Sequence, residues 1–118
     1  MHTSNFWRFY RSEDLRLVSI ALKTPEWFHG RRYPALAPTR KMLKMCEIKY
    51  REVYQKILNR LNPRQVYEEL GPDAVLLCWE QPGEFCHRRL VAEWLEKHLG
   101  VEVPELSSNY DKRQNNLF

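Results

Sequence analysis

The feature that most constrains the fold of this chain is an unbroken apolar run at residues 74–79, Ala-Val-Leu-Leu-Cys-Trp. A strand with no polar position must be covered on both faces, and such strands are typical of parallel sheets. Turn-forming residues bound the run, with Gly71 and Pro72 before it and the stretch from Glu80 to Glu84 after it. The run therefore predicts a buried strand in a parallel sheet.

The other predicted elements alternate between strands and helices. Residues 17–22 are apolar and partly β-branched, and they predict a second buried strand. Residues 25–38 carry three prolines and three aromatic residues, and they predict a long loop. Three helices are predicted at about residues 39–48, 50–61 and 63–70, and a fourth begins at residue 85 or 86 and ends at residue 98. Residues 101–103 predict a short last strand. Asn62 and Pro63 begin the third helix as an N-cap followed by proline. This order predicts an α/β domain with a mostly parallel sheet.

A chain of 118 residues is the size of one domain. We predict a single domain over residues 1–106 and a polar C-terminal tail over residues 107–118. No apolar run approaches the roughly 20 residues that span a bilayer, and the first ten residues lack the apolar core of a secretory signal. Three unevenly spaced cysteines argue for a reducing, cytoplasmic location and against a disulfide framework. Since no CxxC pair is present, no structural zinc site is predicted. No cofactor is predicted either.

Positive charge is concentrated in the first half of the chain. Residues 1–60 carry 13 Lys and Arg against 5 Asp and Glu, whereas residues 61–118 carry 6 against 10. The aromatic residues that lie among these basic residues are Trp7, Phe9, Tyr10, Trp27, Phe28 and Tyr33. Such a mixture is typical of surfaces that contact phosphates and stacked bases. A solvated basic surface around aromatic core residues is the alternative interpretation.

The residues that follow the apolar run resemble the signature of a known family. Its pattern is a strand, a cysteine, an aromatic or small residue, a glutamate, a short loop, Cys-His-Arg and a helix. The matching positions are Cys78, Trp79, Glu80 and Cys86-His87-Arg88, with Ser19, Ile20, Pro25 to Phe28, Gly30, Tyr33 and Leu36 to Pro38 upstream. Over about residues 3–106 the chain resembles short bacterial and phage-type members of the domain of unknown function 488 family. The resemblance implies a compact three-layer α/β fold, with a small, mostly parallel sheet flanked by helices (Rossmann-like), and it implies no activity.

Polar residues that follow the predicted strands are expected to meet at the carboxyl edge of the sheet, where open α/β sheets bind ligands. The Cys-His-Arg sequence at residues 86–88 opens the last helix, whose free backbone N–H groups favour an anion. Arginine in the first turn adds a planar fork suited to phosphate or carboxylate. The predicted anion-binding or phosphate-binding residues are Arg88, Glu84, Ser4 and Lys23. The alternative is that Arg88 pairs with Glu84 or Glu93 at the surface.

Glu80, Cys86 and His87 are the predicted catalytic residues. Glu80 ends a strand, where a carboxylate can bind a ribose hydroxyl or act as base or nucleophile at a sugar carbon; pairing with Arg88 or helix capping is the alternative. Cys86 at a helix start can ionise and act as a nucleophile, or it can be buried and inert. His87 can be an acid–base group or donate to a strand-end carbonyl. Adjacent helical residues point about 100° apart, so His87 is expected to be poorly placed as a base for Cys86.

Trp27, Phe28 and Tyr33 are predicted to stack on a base over the pocket, or alternatively to form a small core of their loop. The predicted function is action on a nucleotide, nucleoside or nucleic-acid base at a strand-end pocket, as a hydrolase or transferase. One alternative is a non-catalytic module that binds a nucleotide, a nucleic acid or a protein through the same edge. Another is a thiol-dependent role of Cys86.

Overall fold

In the described part of the chain, four parallel strands form the central sheet. The computed structural model describes residues 1–80 and 84–106. The strands are β1 (His2–Asn5), β2 (Leu17–Ser19), β3 (Arg31–Arg32) and β4 (Val75–Cys78). Their order across the sheet is β1-β4-β2-β3, and every neighbouring pair is parallel. The predicted α/β class is thereby confirmed.

Three α-helices pack on one face of this sheet. They are α1 (Glu47–Asn59), α2 (Pro63–Leu70) and α3 (His87–Leu99). Val18 of β2 and Leu76 of β4 point into this side, where they join the buried residues of the helices in one apolar cluster. The opposite face is covered by a 3-10 turn at Phe6–Phe9 and by the loop that carries Phe28. The layer on that side is therefore built from aromatic side chains of a turn and a loop.

The alternation of side chains along β4 explains why its sequence is apolar throughout. All four residues of β4 are buried, with Leu76 on the helical side and Val75 and Leu77 on the aromatic side. β4 lies between β1 and β2, so both of its edges are also paired. The unbroken apolar run thus marks the innermost strand of the sheet.

Helix ends follow the predicted capping residues. The Asn62 side chain accepts a hydrogen bond from the Gln65 N–H at 3.1 Å at the start of α2. Gly100 ends α3 with a φ of 67°, in the left-handed region that favours glycine. The predicted boundaries of α2 are confirmed, and those of α3 agree within one or two residues.

Two predicted elements are wrong. The helix predicted over residues 39–48 is not present at residues 39–46, which contain a 3-10 turn at Lys41–Lys44 and an extended stretch before α1 begins at Glu47. Met42 is the one buried residue of that segment, and one turn suffices to bring it into the core. Residues 101–103 do not form a strand, because the chain runs past β1 and bridges it only at Glu105, opposite Thr3.

The predicted loop at residues 25–38 also contains the short strand β3 and a 3-10 turn at Pro34–Leu36. The predicted tail at residues 107–118 lies outside the described residues, as do three residues of the predicted turn after β4. Among the described helices, none has both the length and the apolar character required to cross a membrane.

Candidate functional site

A cavity of about 390 Å³ lies at the carboxyl ends of β2 and β4. Its size is within the usual range for small-molecule sites. Its wall is formed by residues that follow the two strands and by residues at the starts of α1 and α3. The lining residues are Ala21, Leu22, Lys23, Pro38, Met42, Leu43, Met45, Glu47, Tyr50, Trp79, Glu80, Phe85, Cys86 and His87. The cavity therefore lies at the edge where a ligand site was predicted, and it contains four of the predicted site residues.

Glu80 and Lys23 are the charged members of the predicted set that line this cavity. Within the described part of the chain, the Glu80 carboxylate makes no hydrogen bond or ion pair, whereas its backbone carbonyl accepts from Arg88 at 2.9 Å. The charge of Glu80 adds to burial in raising the pKa of Tyr50 above its usual range. A carboxylate that has no internal partner can accept hydrogen bonds from a ligand.

The aromatic wall of the cavity consists of Tyr50, Trp79 and Phe85, none of which was predicted to stack on a ligand. The Trp79 indole N–H donates to the Lys23 carbonyl at 2.7 Å, which holds the ring between the ends of β4 and β2. Phe85 meets Tyr50 edge to face at 5.2 Å between ring centroids. Trp79 is the last residue of the apolar run, and that position at the strand end was the available signal. Tyr50 could not be distinguished in the sequence from a core residue of α1.

His87 is buried, and both of its ring nitrogens lie against internal groups. Nε2 lies 2.7 Å from the Ile20 carbonyl and Nδ1 lies 3.7 Å from the Cys86 Sγ. Burial lowers the pKa of His87 to about 4, with the neighbouring Arg88 charge acting in the same direction and the bond to Ile20 opposing it. The imidazole is thus neutral near pH 7, with its proton on Nε2 because a carbonyl can only accept. This contact with Ile20 is the alternative that the sequence left open for His87.

The distance of 3.7 Å between the His87 Nδ1 and the Cys86 Sγ is shorter than implied by the expectation that His87 is poorly placed as a base for Cys86. That expectation rested on helical geometry. It assumed that both residues are helical, but Cys86 is the N-cap of α3, with extended backbone angles of φ −151° and ψ 143°. The extended N-cap turns the cysteine side chain toward the first turn of the helix, where the Cys86 Sγ also accepts from the Arg88 N–H at 3.5 Å.

The Arg88 side chain is 1% exposed and is held by internal partners. Nε and Nη2 donate to the two carboxylate oxygens of Glu105 at 2.9 and 2.8 Å. Nη1 donates to the Cys78 Sγ and to the Glu80 carbonyl, both at 2.9 Å. Arg88 does not line the cavity, and its acidic partner is neither Glu84 nor Glu93. The guanidinium therefore joins the end of β4 to the segment after α3.

Cys78 and Cys86 are paired in a disulfide, although the uneven spacing of the three cysteines argued against a disulfide framework. Cys78 ends β4 and Cys86 is the N-cap of α3, and both lie at the same edge of the sheet. The spacing of the cysteines in the sequence could not reveal that they are close, because their distance depends on where α3 packs relative to the end of β4. Cys46 is free and exposed.

The remaining predicted site residues lie elsewhere. Ser4 is buried in β1 and Glu84 is exposed on a neighbouring surface with Arg89. Trp27 and Phe28 pack around Phe6 on the other face of the sheet, with ring centroids 6.3 and 5.6 Å from it. The Tyr33 hydroxyl bonds to the Glu69 carboxylate at 2.6 Å. The structure thus brings Lys23, Glu80, Cys86 and His87 to one cavity and leaves the other predicted residues outside its lining.

The fold and this cavity define a small α/β domain with a parallel sheet and a ligand-sized site at its carboxyl edge. Comparisons of the chain with protein-family models, with curated proteins and with solved structures found no match. The resemblance to the domain of unknown function 488 family stays a prediction.

Proposed function

We propose that this protein binds a nucleobase or nucleoside, alone or within a nucleotide, in the cavity at the carboxyl ends of β2 and β4. The observation that carries the proposal is the placement of the Glu80 carboxylate beside the three rings of Tyr50, Trp79 and Phe85 in one cavity. Flat aromatic ligands stack on such rings, and a carboxylate accepts hydrogen bonds from base N–H groups or ribose hydroxyls. Bases and nucleosides combine both features.

Aromatic side chains continue from the cavity onto the protein surface, which supports a nucleic-acid source for the base. Trp79 is 38% exposed and its ring lies 5.9 Å from that of Trp7, which is 53% exposed. Trp7 in turn lies 6.3 Å from the half-exposed Tyr10, and the Arg11 guanidinium lies 5.1 Å from the Tyr10 ring centroid. Successive aromatic rings beside cations are typical of single-strand binding surfaces.

If the ligand is turned over, Glu80 is the group that we assign to the reaction, as a base or as a nucleophile at the sugar carbon. His87 is assigned a positioning role, because its Nε2 proton is committed to Ile20. A phosphate contact, if the ligand has one, is assigned to Lys23 at the cavity wall. The cytoplasmic location stays a prediction and belongs to this proposal.

The test is a binding series with nucleobases, nucleosides, nucleotides and short single-stranded oligonucleotides, measured by calorimetry and by thermal unfolding. A ligand at 100 times its dissociation constant stabilises the folded state by about 2.7 kcal/mol, which thermal unfolding detects readily. We expect one ligand class to bind, with affinity reduced at least about tenfold in Glu80→Gln and in Trp79→Leu. Glu68→Gln, at an exposed position of α2 outside the cavity lining, is the matched control.

The variant Trp7→Leu distinguishes binding of a free nucleoside from binding of a base within a nucleic acid. Because Trp7 lies outside the cavity lining, its loss is expected to leave nucleoside binding unchanged and to weaken oligonucleotide binding. Absence of binding by every member of the series, or equal binding by wild type and Glu80→Gln, would contradict the proposal.

A non-catalytic binding module is the second candidate function. Arg88 and His87 are both hydrogen-bonded to internal groups, which favours the binding module. Of the predicted catalytic residues, this leaves Glu80 as the titratable one whose side chain has no internal partner among the described residues. Incubation of the bound ligand with the protein, followed by chromatography, decides between the two candidates. Release of a free base or of a transferred group supports catalysis, and an unchanged ligand supports the binding module.

A further inference from the structure

Three side chains that bind thiophilic metals meet at the buried junction of β4 and α3. They are Cys78, Cys86 and His87, and the ligand atoms of this Cys-Cys-His cluster all lie within 4.8 Å of one another. All three residues are at least nine-tenths buried, at 1%, 3% and 4% exposure. The cluster arises from the fold, because Cys78 comes from a strand end and the other two from a helix start.

We propose that the reduced form of this protein binds one Zn²⁺, or a similar thiophilic divalent ion, through the Cys78 Sγ, the Cys86 Sγ and the His87 Nδ1. Sulfur and imidazole ligands select such ions over Mg²⁺ and Ca²⁺, which prefer oxygen. The proposal does not depend on the nucleobase-binding function, because metal uptake is measured without any organic ligand.

The geometry of the backbone fits two thiolates on one ion better than a direct bond between the sulfurs. The Cα atoms of Cys78 and Cys86 are 7.6 Å apart. Disulfides usually join Cα atoms that are about 4.4–6.8 Å apart. A tetrahedral zinc with Zn–S bonds near 2.3 Å separates two sulfurs by about 3.8 Å, which suits cysteines with more widely spaced backbones.

His87 is already oriented as a metal ligand. Its Nε2 lies 2.7 Å from the Ile20 carbonyl, which fixes the ring and directs the lone pair of Nδ1 toward Cys86. Metal-bound histidines in proteins generally donate their second N–H to a carbonyl or carboxylate in this way. The distance of 3.7 Å between Nδ1 and the Cys86 Sγ is close to the roughly 3.6 Å expected for two ligands of one tetrahedral zinc.

The charges around the cluster also balance. Two thiolates and a neutral imidazole neutralise a divalent ion, so no net charge is buried. The charge of Arg88 is already paired with Glu105, and its Nη1 can donate to the Cys78 thiolate as it donates to that sulfur in the disulfide form. Cys86 and His87 line the cavity that also contains Glu80, so an ion held by them would lie at the wall of that cavity. Three protein ligands and an open fourth position are typical of catalytic zinc sites.

Metal binding requires that the disulfide be reduced first. A phosphine reductant supplies two electrons and becomes a phosphine oxide, while water supplies the oxygen atom and the two protons of the new thiols. Each thiol then loses its proton to solvent as its sulfur binds the ion. Oxidised and reduced forms of the same chain therefore serve as matched samples, with no substitution in the cluster.

The experiment is titration of the phosphine-reduced full chain with Co²⁺, followed by displacement with Zn²⁺, in a Cys46→Ser background that removes the exposed thiol. We expect one Co²⁺ per chain, with the intense thiolate-to-cobalt charge-transfer absorption that only sulfur ligands produce. We expect no such absorption in the oxidised chain. Bound Zn²⁺ should protect Cys78 and Cys86 from alkylation under conditions in which the reduced, metal-free chain is labelled.

The variant His87→Gln tests the third ligand, since a glutamine amide can keep a donor toward Ile20 while removing Nδ1. We expect its affinity for the ion to fall at least about tenfold. The proposal is overturned if the reduced chain takes up no Co²⁺, if the absorption persists in the oxidised chain, or if His87→Gln binds as tightly as its parent.

Discussion

Arg88 and Glu105 form a two-pronged ion pair in which each carboxylate oxygen accepts from a different guanidinium nitrogen, at 2.9 and 2.8 Å. The arginine is in the first turn of α3 and the glutamate lies beyond the end of that helix, beside β1. The same carboxylate also accepts from the Thr3 hydroxyl at 2.5 Å. One buried charge thus connects the end of β4, the edge strand β1 and the segment after α3.

We predict that Arg88→Ala lowers the free energy of unfolding by about 3–5 kcal/mol, because it leaves the partners of a buried charge unsatisfied. Denaturant unfolding measures this loss. Lys49→Ala, which breaks the exposed pair of Lys49 with Glu52, is the control and should cost less than about 1 kcal/mol. Equal losses in the two variants would show that Arg88 contributes no more than a surface ion pair.

Ser4 and Thr3 are neighbours in β1 with opposite expected effects. Ser4 Oγ is the one buried side-chain oxygen or nitrogen among the described residues with no hydrogen-bond partner. Removing such a hydroxyl costs nothing in hydrogen bonds, so Ser4→Ala should leave stability unchanged or raise it by up to about 1 kcal/mol. Thr3→Val should cost about 1–3 kcal/mol, because Thr3 Oγ1 bonds to both Glu105 and Arg89. A marked loss of stability in Ser4→Ala would reveal a partner for its hydroxyl.

Alkaline unfolding should depend on the buried phenol of Tyr54. Burial raises the pKa of Tyr54 well above its usual value, and its hydroxyl donates to the Leu36 carbonyl at 2.5 Å. The Tyr54 phenol makes its full contribution to the free energy of unfolding below about pH 10, where it is neutral in both the folded and the unfolded state. The contribution is lost as the pH rises further, since the unfolded chain ionises and the folded chain resists ionisation.

We therefore expect Tyr54→Phe to flatten the fall of unfolding free energy between about pH 9 and 11, and to cost about 1–3 kcal/mol at neutral pH by leaving the Leu36 carbonyl unpaired. Urea unfolding at a series of pH values measures both effects. Tyr10→Phe, on the half-exposed aromatic surface, serves as the control that should keep the wild-type slope. An unchanged slope in Tyr54→Phe would mean that other groups cause the alkaline loss.

Alkylation should distinguish the three cysteines of the unreduced native protein. Cys46 is exposed and free, whereas Cys78 and Cys86 are buried and joined. Mass spectrometry is expected to find one adduct, at Cys46, and three after denaturation with a reductant. Rapid labelling of Cys86 in the native unreduced protein would instead support the thiol-dependent role that its helix-start position allows.

The α/β class, the buried strand β4 and the helix caps could be predicted from local sequence. Each depends on a pattern within a few residues: an unbroken apolar run, Asn62 before proline, or glycine after the last turn of α3. The helix expected at residues 39–48 was wrong because apolar spacing there resembles a helical stripe, while Met42 is the one residue of that segment that is buried. Local pattern does not reveal which apolar residues tertiary packing will bury.

Part of the candidate site could likewise be predicted from the sequence, and part could not. The carboxyl edge of the sheet and the residues Lys23, Glu80, Cys86 and His87 follow from strand ends that parallel pairing must bring together. For Trp27 and Phe28 the sequence left open stacking over the pocket or a small core of their loop, since nothing in the loop sequence shows on which side of the sheet it returns; the structure packs both in the second apolar cluster.

By itself, the sequence determined that this chain forms a parallel α/β sheet whose polar strand ends share one edge, because periodicity and capping act over short distances. Only the tertiary structure decided that Arg88 is buried against Glu105, that Cys78 lies beside Cys86, and that the cavity receives its rings from Tyr50, Trp79 and Phe85. These contacts join residues of separate elements. They depend on how the helices and loops pack on the sheet, which no local pattern specifies.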